Sequence, residues 1–404
     1  MKKLICFAAI LISISFVFAH QEQHAVTVRN IEVPVRVFMD KQFVDTLTID
    51  DFELYENGIP QKIEALYLAN KNSISRQEEL KAFSPQTARH YFLLFQIIEY
   101  NPKLEASIDY FFKNVLLPQD TLTLMTPQKS YHLSSEALQK KKREAISKEM
   151  LKILRKDTKI SSSAYRSSMN SLRGLVSSIS GGSSMTDFDS TTTDLDQGAS
   201  SIGMLLRRYR NNLDKLEDLR MVDQNVFVQF ATKAKSIPGQ KHVYFFYERE
   251  FRPELSTTVV NNLVANYQDQ PNILGDIQDL FQFYQRHDRI NSEKIYQAFT
   301  DASICFNFLF VDRQERSAGG ITMREQSEDF YGAFRETALA TGGVVDSSRN
   351  PSAAFQTALA TGENYYLLYY SPANYTSDGS YKKIESKVKN PEYKVTFRQG
   401  YFAN

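Results

Sequence analysis

The chain has 404 residues, of which 42% are apolar and 24% charged, with 28 Phe, 22 Tyr and no Trp. That length exceeds one ordinary hydrophobic core and implies two domains, or one domain with a large insertion. The formal net charge is +1, so no global field draws the chain to nucleic acid, and that partner class is set aside.

Lys2 and Lys3 precede the apolar run ICFAAILISISFVF (5–18), and Val17-Phe18-Ala19 leads into His20. A basic start, a run too short to span a bilayer comfortably and a small residue at the cleavage point read as a secretory signal peptide over 1–19. A retained anchor helix is the competing reading. No later segment reaches spanning length, so the expectation is an exported chain, periplasmic or extracellular, with no stable membrane span after cleavage. Cys305 is then the remaining cysteine. It lies in the apolar run SICFNFLFV and reads as a small buried apolar residue.

Residues 26–39, VTVRNIEVPVRVFM, alternate apolar and polar with the period of a half-buried strand. FVDTL (43–47) and TIDDFELYENGIPQKIEALYLA (48–69) follow, with Asn57-Gly58 as a hairpin turn. Residues 20–70 thus predict half of a β-sandwich. The polar stretch 71–88 reads as a linker. From residue 89 the pattern changes. YFLLFQII (91–98), KHVYFFYE (241–248) and SICFNFLFV (303–311) are almost continuously apolar, as strands covered on both faces are. DTLTLMT (120–126) adds a strand, GGVV (342–345) reads as a turn into another, and residues 101–118, 135–156, 200–236, 272–299 and 325–341 carry helical spacing. Strands alternating with helices predict an α/β domain over 89–360, with a doubly wound, mostly parallel sheet and helices on both faces. Within it, the Ser-, Thr-, Gly- and Asp-rich segment 158–200 reads as a mobile insertion. Residues 361–404, with ENYYLLYYSP, YKKIESKVK and YKVTFRQGYF, predict the other half of the sandwich.

IEVPVRVFMDKQFVDTLTIDDFELYENGIPQKI resembles the opening module of the bacterial von Willebrand factor A-related domain family. ATGGVVDSS, NYYLLYYSP, DGSYKKIESKV and VTFRQGYFA resemble its closing segment, and IPGQKHVYFFYE is similar to the strand before its second metal-binding loop. The resemblance implies an exported binding protein with a von Willebrand A-like fold. Members hold a divalent cation at the C-terminal edge of the sheet, through a D-x-S-x-S loop, a Thr from a second loop and an Asp from a later strand. The matching positions here are Gln96, Ile98 and Tyr100 for the loop and Glu248 for the later Asp; Thr191 to Thr193 are candidates for the Thr. Ile98 offers no oxygen, Gln96 is neutral and Tyr100 is a bulky phenol, whereas Mg²⁺ requires hard oxygen ligands. The expectation is a degenerate metal site, no cofactor, and a largely apolar edge. On that edge Gln96, Ile98, Glu99, Tyr100 and Glu248 are candidate partner-binding residues, together with the Ser-rich insertion and the long helix after it.

Strand alternation points Glu99 away from Gln96 and Ile98, so Glu99 and Glu248 read as two solvated loop glutamates. Asp187, Asp189, Asp194 and Asp196 lack the ordered spacing of a calcium loop. The basic runs at 139–156 and 207–210 are diluted by acids and read as wet helix faces. His24, His90, His132, His242 and His287 are scattered, and no G-x-S-x-G or phosphate loop occurs. The sequence therefore predicts a non-enzymatic protein-interaction module whose partner lies in the cell envelope or outside the cell. The alternative is a metal-dependent adhesive domain with a rebuilt Mg or Ca site including Glu248. A third reading is a hydrolase with a spatially assembled site.

Overall fold

The computed structural model describes residues 29–181, 195–285, 290–315, 317, 319–347 and 350–404, of which 195–200 are described by backbone alone. The segment 1–19 expected to be a signal peptide, Thr191 to Thr193 and the side chains of Asp187, Asp189, Asp194 and Asp196 lie outside that description. The architecture is mixed α/β with four sheets.

The chain opens with β1 (Ile31–Met39), β2 (Gln42–Phe43), β3 (Phe52–Glu56), β4 (Ile59–Gln61), β5 (Ala65–Asn70) and β6 (Ser73–Glu79). Next come β7 (Arg89–Gln96), α1 (Lys103–Tyr110), β8 (Thr121–Met125), β9 (Ser130–Leu133), α2 (Ser135–Lys140) and α3 (Arg143–Ser180). They are followed by α4 (Leu195–Arg220), α5 (Gln224–Lys235), β10 (Gln240–Glu248), β11 (Phe251–Leu255), α6 (Thr257–Asn266) and α7 (Pro271–Tyr284). Then come α8 (Ser292–Asp301), β12 (Ile304–Val311), β13 (Ile321–Glu325), α9 (Glu328–Ala340), β14 (Val345–Asp346) and α10 (Pro351–Thr361). The chain closes with β15 (Asn364–Tyr370), β16 (Tyr381–Val388), β17 (Lys394–Phe397) and β18 (Gly400–Phe402).

Strands from the two ends interleave. One antiparallel sheet has the order β17-β1-β15-β5-β6 with β2 beside β1; a second runs β18-β16-β3-β4. Val33 and Val35 of β1, Leu54 of β3, Tyr366 and Leu368 of β15 and Ile384 of β16 share one core between these sheets. On the other face of β15, Tyr365, Leu367 and Tyr369 pack with Ala65 and Tyr67. This double burial is why NYYLLYY has no polar alternation. Asn57 and Gly58 both take positive φ, 49° and 80°, the backbone that a tight hairpin turn requires. The stretch read as a linker, 71–88, in fact contains β6, paired to β5. Its polar residues suit an edge strand with one side in water.

The sheet in the middle of the chain has the order β14-β12-β10-β7-β8-β9. Neighbours are parallel from β14 to β8, and β9 is antiparallel at the edge. Leu93, Phe95, Tyr244 and Phe246 face a core with Leu104 and Ile108 of α1, Leu154 of α3 and Phe355 of α10. Leu94, Val243, Phe245 and Phe308 face the opposite core with Phe227 of α5, Phe299 of α8 and Phe334 of α9. Helical cover on both sides accounts for strands that are apolar at nearly every position. Cys305 is half-buried rather than buried, with its sulfur 3.9 Å from the Gly342 carbonyl oxygen. The GGVV turn is tight: a Cβ on Gly343 would lie 1.9 Å from the Phe306 carbonyl oxygen.

Within the segment 158–200, read as a mobile insertion, residues 182–194 lie outside the described residues, and the rest departs most from the sequence reading. Residues 158–180 continue α3, a helix of 38 residues. Tyr165, Met169, Leu172, Val176 and Ile179 recur at alternating spacings of four and three and are buried. Ser161, Ser162 and Ser168 are buried too; small side chains there let neighbouring helices approach. The stripe packs with Leu206, Tyr209 and Leu213 of α4, Leu263 of α6, Ile277 and Leu280 of α7, and Leu255 and Ile321 of the β11–β13 ribbon. This helical lobe has its own core. The helix predicted over 200–236 breaks at 221–223, where the Asp223 side chain caps α5 by accepting from the Asn225 amide at 2.7 Å. The helix predicted over 272–299 divides into α7 and α8.

Arg89, at the start of β7, is tied to Asp120. Its Nε and Nη2 donate to the two carboxylate oxygens at 3.1 and 2.6 Å, and the pair is 2% and 0% exposed. Asp120→Ala would leave a buried guanidinium without its counter-charge. The expected loss is about 3–5 kcal/mol, read as a lower midpoint of urea unfolding.

Candidate functional site

In an open parallel sheet, ligands are taken at the carboxyl ends of the strands. Here β7 ends at Gln96, β10 at Glu248 and β12 at Val311. The chain leaving β7 turns across the end of β10, and the amides of Ile98 and Glu99 donate to Glu248 Oε2 at 2.8 and 3.3 Å. Arg313, two residues beyond β12, places Nη1 3.7 Å from the same oxygen. Arg313 also pairs with Glu315 and lies 4.4 Å from the ring centre of Tyr165, whose hydroxyl donates to Glu315 at 3.1 Å. Glu248 is 5% exposed. Burial pushes its pKa up to about 7, although Arg313 and the two amides pull the other way.

Two residues on, Glu250 is also buried. Arg220, the last residue of α4, reaches it at 3.2 Å and reaches Asp329 of α9 at 3.2 Å, and it pairs with Glu217 as well. Burial pushes the Glu250 pKa up to about 8 against the pull of Arg220. A cavity of about 20 Å³ touches Ile98, Tyr165, Glu217, Arg220, Glu250 and Arg313. That is room for about one water molecule and for no substrate.

The structure brings four of the five candidate residues together, burying Ile98 and Glu248, half-burying Gln96 and leaving Glu99 at the surface. Gln96 Nε2 donates to the Leu219 carbonyl at 3.1 Å. Ile98 is buried in the core of the helical lobe. Glu99 pairs at the surface with Arg166, 3.6 Å away. Tyr100 turns aside, packing against the sheet core with Arg155 5.3 Å from its ring centre. The expected apolar edge open to a partner is therefore closed by the chain's own lobe. Glu248 is a buried, hydrogen-bonded carboxyl and not a solvated loop glutamate.

Among the described residues, the positions matching the expected metal loop offer few oxygens to a divalent cation. The Glu248 oxygen is engaged by two amides and faced by a guanidinium, and Ile98 contributes no ligand atom. Among the described residues no cluster of three or more His, Cys, Asp and Glu side chains is arranged to hold a metal ion. Sequence reasoning missed Arg313, Tyr165, Arg220 and Glu250. For Glu250 a signal existed: in YERE it follows Glu248 by two, which keeps both on one side of an extended chain.

No protein-family model matches the chain, and no curated protein matches it. A solved structure with some likeness is the human COPII-coat protein Sec24c, at 8% identity and a TM-score of 0.24. The alignment covers 79% of this chain and less than half, 44%, of that one, and a likeness so loose carries no argument. The resemblance to the von Willebrand A-related family is supported by no family model.

The raised pKa of Glu248 has a sign. The folded chain keeps a proton that the unfolded chain loses near the ordinary carboxylate value, so stability falls as pH rises from about 4.5 to about 7, by up to about 1.4 kcal/mol per pH unit. Arg313→Met removes a group that lowers this pKa. Carbon-13 NMR of the Glu248 carboxyl is expected to titrate near neutrality in the native chain and higher in the variant.

Proposed function

We propose that the chain is an exported, non-enzymatic protein-interaction module. On this reading a von Willebrand A-like α/β domain is joined to a sandwich built from both chain ends. The module binds a protein partner in the cell envelope or outside the cell without a metal ion.

The observation that carries the reading is the closed carboxyl edge. Glu248 meets its charge requirement internally, through Arg313 and two backbone amides, so nothing at that edge calls for a cation. Beside it, the cavity at Arg220 and Glu250 has room for about one water, and an open cleft of about 290 Å³ is bordered by Arg249, Asp312, Arg313 and Glu315. Contact then shifts to the outer face of the helical lobe, which agrees with the candidate role given to the segment after residue 158. An open cleft of about 760 Å³ there is bordered by Gly203, Met204, Arg207 and Arg208 of α4 and by Asn272 and Asp276 of α7. Met204 is 55% exposed. Arg207 pairs there with Asp276 at 3.4 Å, and a flexible apolar side chain beside charges of both signs suits a protein surface of mixed apolar and polar character.

The metal-dependent alternative makes opposite predictions. Calorimetric titration with Mg²⁺, Mn²⁺ and Ca²⁺ is expected to show no saturable heat. Crosslinking in the native organism is expected to capture a protein whether or not a chelator is present. Met204→Asp with Arg208→Glu is expected to lower that capture at least tenfold while circular dichroism is unchanged. Capture abolished by chelator, or an octahedral ion between Gln96 and Glu248, would overturn the proposal. Export is checked by sequencing the mature N-terminus, expected at His20.

A further inference from the structure

The helical lobe meets the sheet along a seam of charge. From the lobe come Tyr165 and Arg166 of α3 and Glu217 and Arg220 of α4. From the sheet side come Glu99, Glu248, Glu250, Arg313, Glu315 and, on α9, Asp329. Arg220 holds three carboxyl groups: Glu217, Glu250 and Asp329. If all three were ionised, their charge would exceed that of this guanidinium by two inside a buried site. Arg313 is likewise shared between Glu248 and Glu315. Among the described residues, Arg252 is engaged with Glu254 at 2.6 Å, and Arg249 with Asp312 at 3.1 Å and Glu325 at 3.3 Å. Tyr247 also faces Glu250, and burial holds its phenol protonated.

We propose that this seam is a proton-operated clasp: while Glu250 and Glu248 keep their protons, the C-terminal turn of α4 and the 97–99 loop stay docked on the sheet edge, and ionisation of the two carboxyls releases them. The geometry supplies the reason. Each carboxyl shares its guanidinium with at least one other acid, so a newly ionised group adds charge where the counter-charge is already divided. The small cavity bordered by Arg220, Glu250 and Arg313 has room for about a single water, too little to hydrate an ionised Glu250. Burial sets the range, with Glu248 held near 7, Glu250 near 8 and Asp329 above its ordinary value. The clasp stands on these contacts alone and does not depend on the identity or existence of a partner.

Hydrogen exchange on the full chain, corrected for the intrinsic pH dependence of amide exchange, tests the clasp. From about pH 5 upward the protection of Ile98, Glu99 and residues 216–221 is expected to fall by about tenfold per pH unit, one proton being released on opening, and to level off above about 7 at Ile98 and Glu99 and above about 8 at 216–221. Protection in β8 and β15 is expected to fall only as far as the overall stability does. Glu250→Gln is expected to flatten the slope at 216–221, and Glu248→Gln that at Ile98 and Glu99. Asp329→Asn, which frees Arg220 for an ionised Glu250, is expected to flatten the slope at 216–221 as well and covers the case in which a glutamine variant fails to fold. Protection that is flat in the native chain, or a slope that survives these substitutions, would overturn the proposal.

Discussion

The arrangement at the centre of this molecule depends on how one carboxyl group is accommodated. Glu248 ends the strand in the middle of the parallel sheet, where solvent or a ligand would ordinarily meet it. It is instead buried beneath the turn of chain leaving β7, bonded by that turn's amides and faced by Arg313. Burying a carboxyl carries a large desolvation cost unless it is bonded or protonated, and both remedies operate here. Once that edge is closed, the helical lobe can rest on it, with Ile98 in the lobe's apolar core and Arg220 reaching across to Glu250 and Asp329.

Much of this fold could be read from residue patterns. Unbroken apolar runs marked β7, β10 and β12 as strands covered on both sides, and the Asn57-Gly58 turn placed β3 beside β4. Segments of both ends were expected to share a sandwich, and β15 does lie between β1 and β5. The helical lobe was obscured by composition. Serines on α3 suggest a segment unable to bury surface, yet the stripe from Tyr165 to Ile179 supplies an apolar seam while the serines occupy tight spaces between helices. Periodicity was the better guide than residue type there. The strand β6 was hidden for the opposite reason: an edge strand facing water carries little apolar signal.

The site was partly legible. Reading Gln96, Ile98 and Tyr100 as poor metal ligands rests on the atoms those side chains carry, and Gln96 Nε2 is engaged by the Leu219 carbonyl. The covering of the edge was not legible, because Arg313, Tyr165 and Arg220 reach it from segments separated by scores of residues. No local spacing encodes a contact such as that between Arg313 and Tyr165. The burial that raises Glu248 and Glu250 belongs equally to tertiary structure.

The position of β15 carries a consequence for how the molecule matures. Strands β1 and β5 do not bond to each other; β15 lies between them, with Ile31 opposite Tyr370 and Asn70 opposite Asn364. A ribosome or a secretion channel releases the first of these partners some three hundred residues before the second. Closing so long a loop is entropically costly and slow. Throughout that interval β1 and β5 carry unsatisfied hydrogen-bonding edges, the kind that chaperones shield and that neighbouring chains can capture.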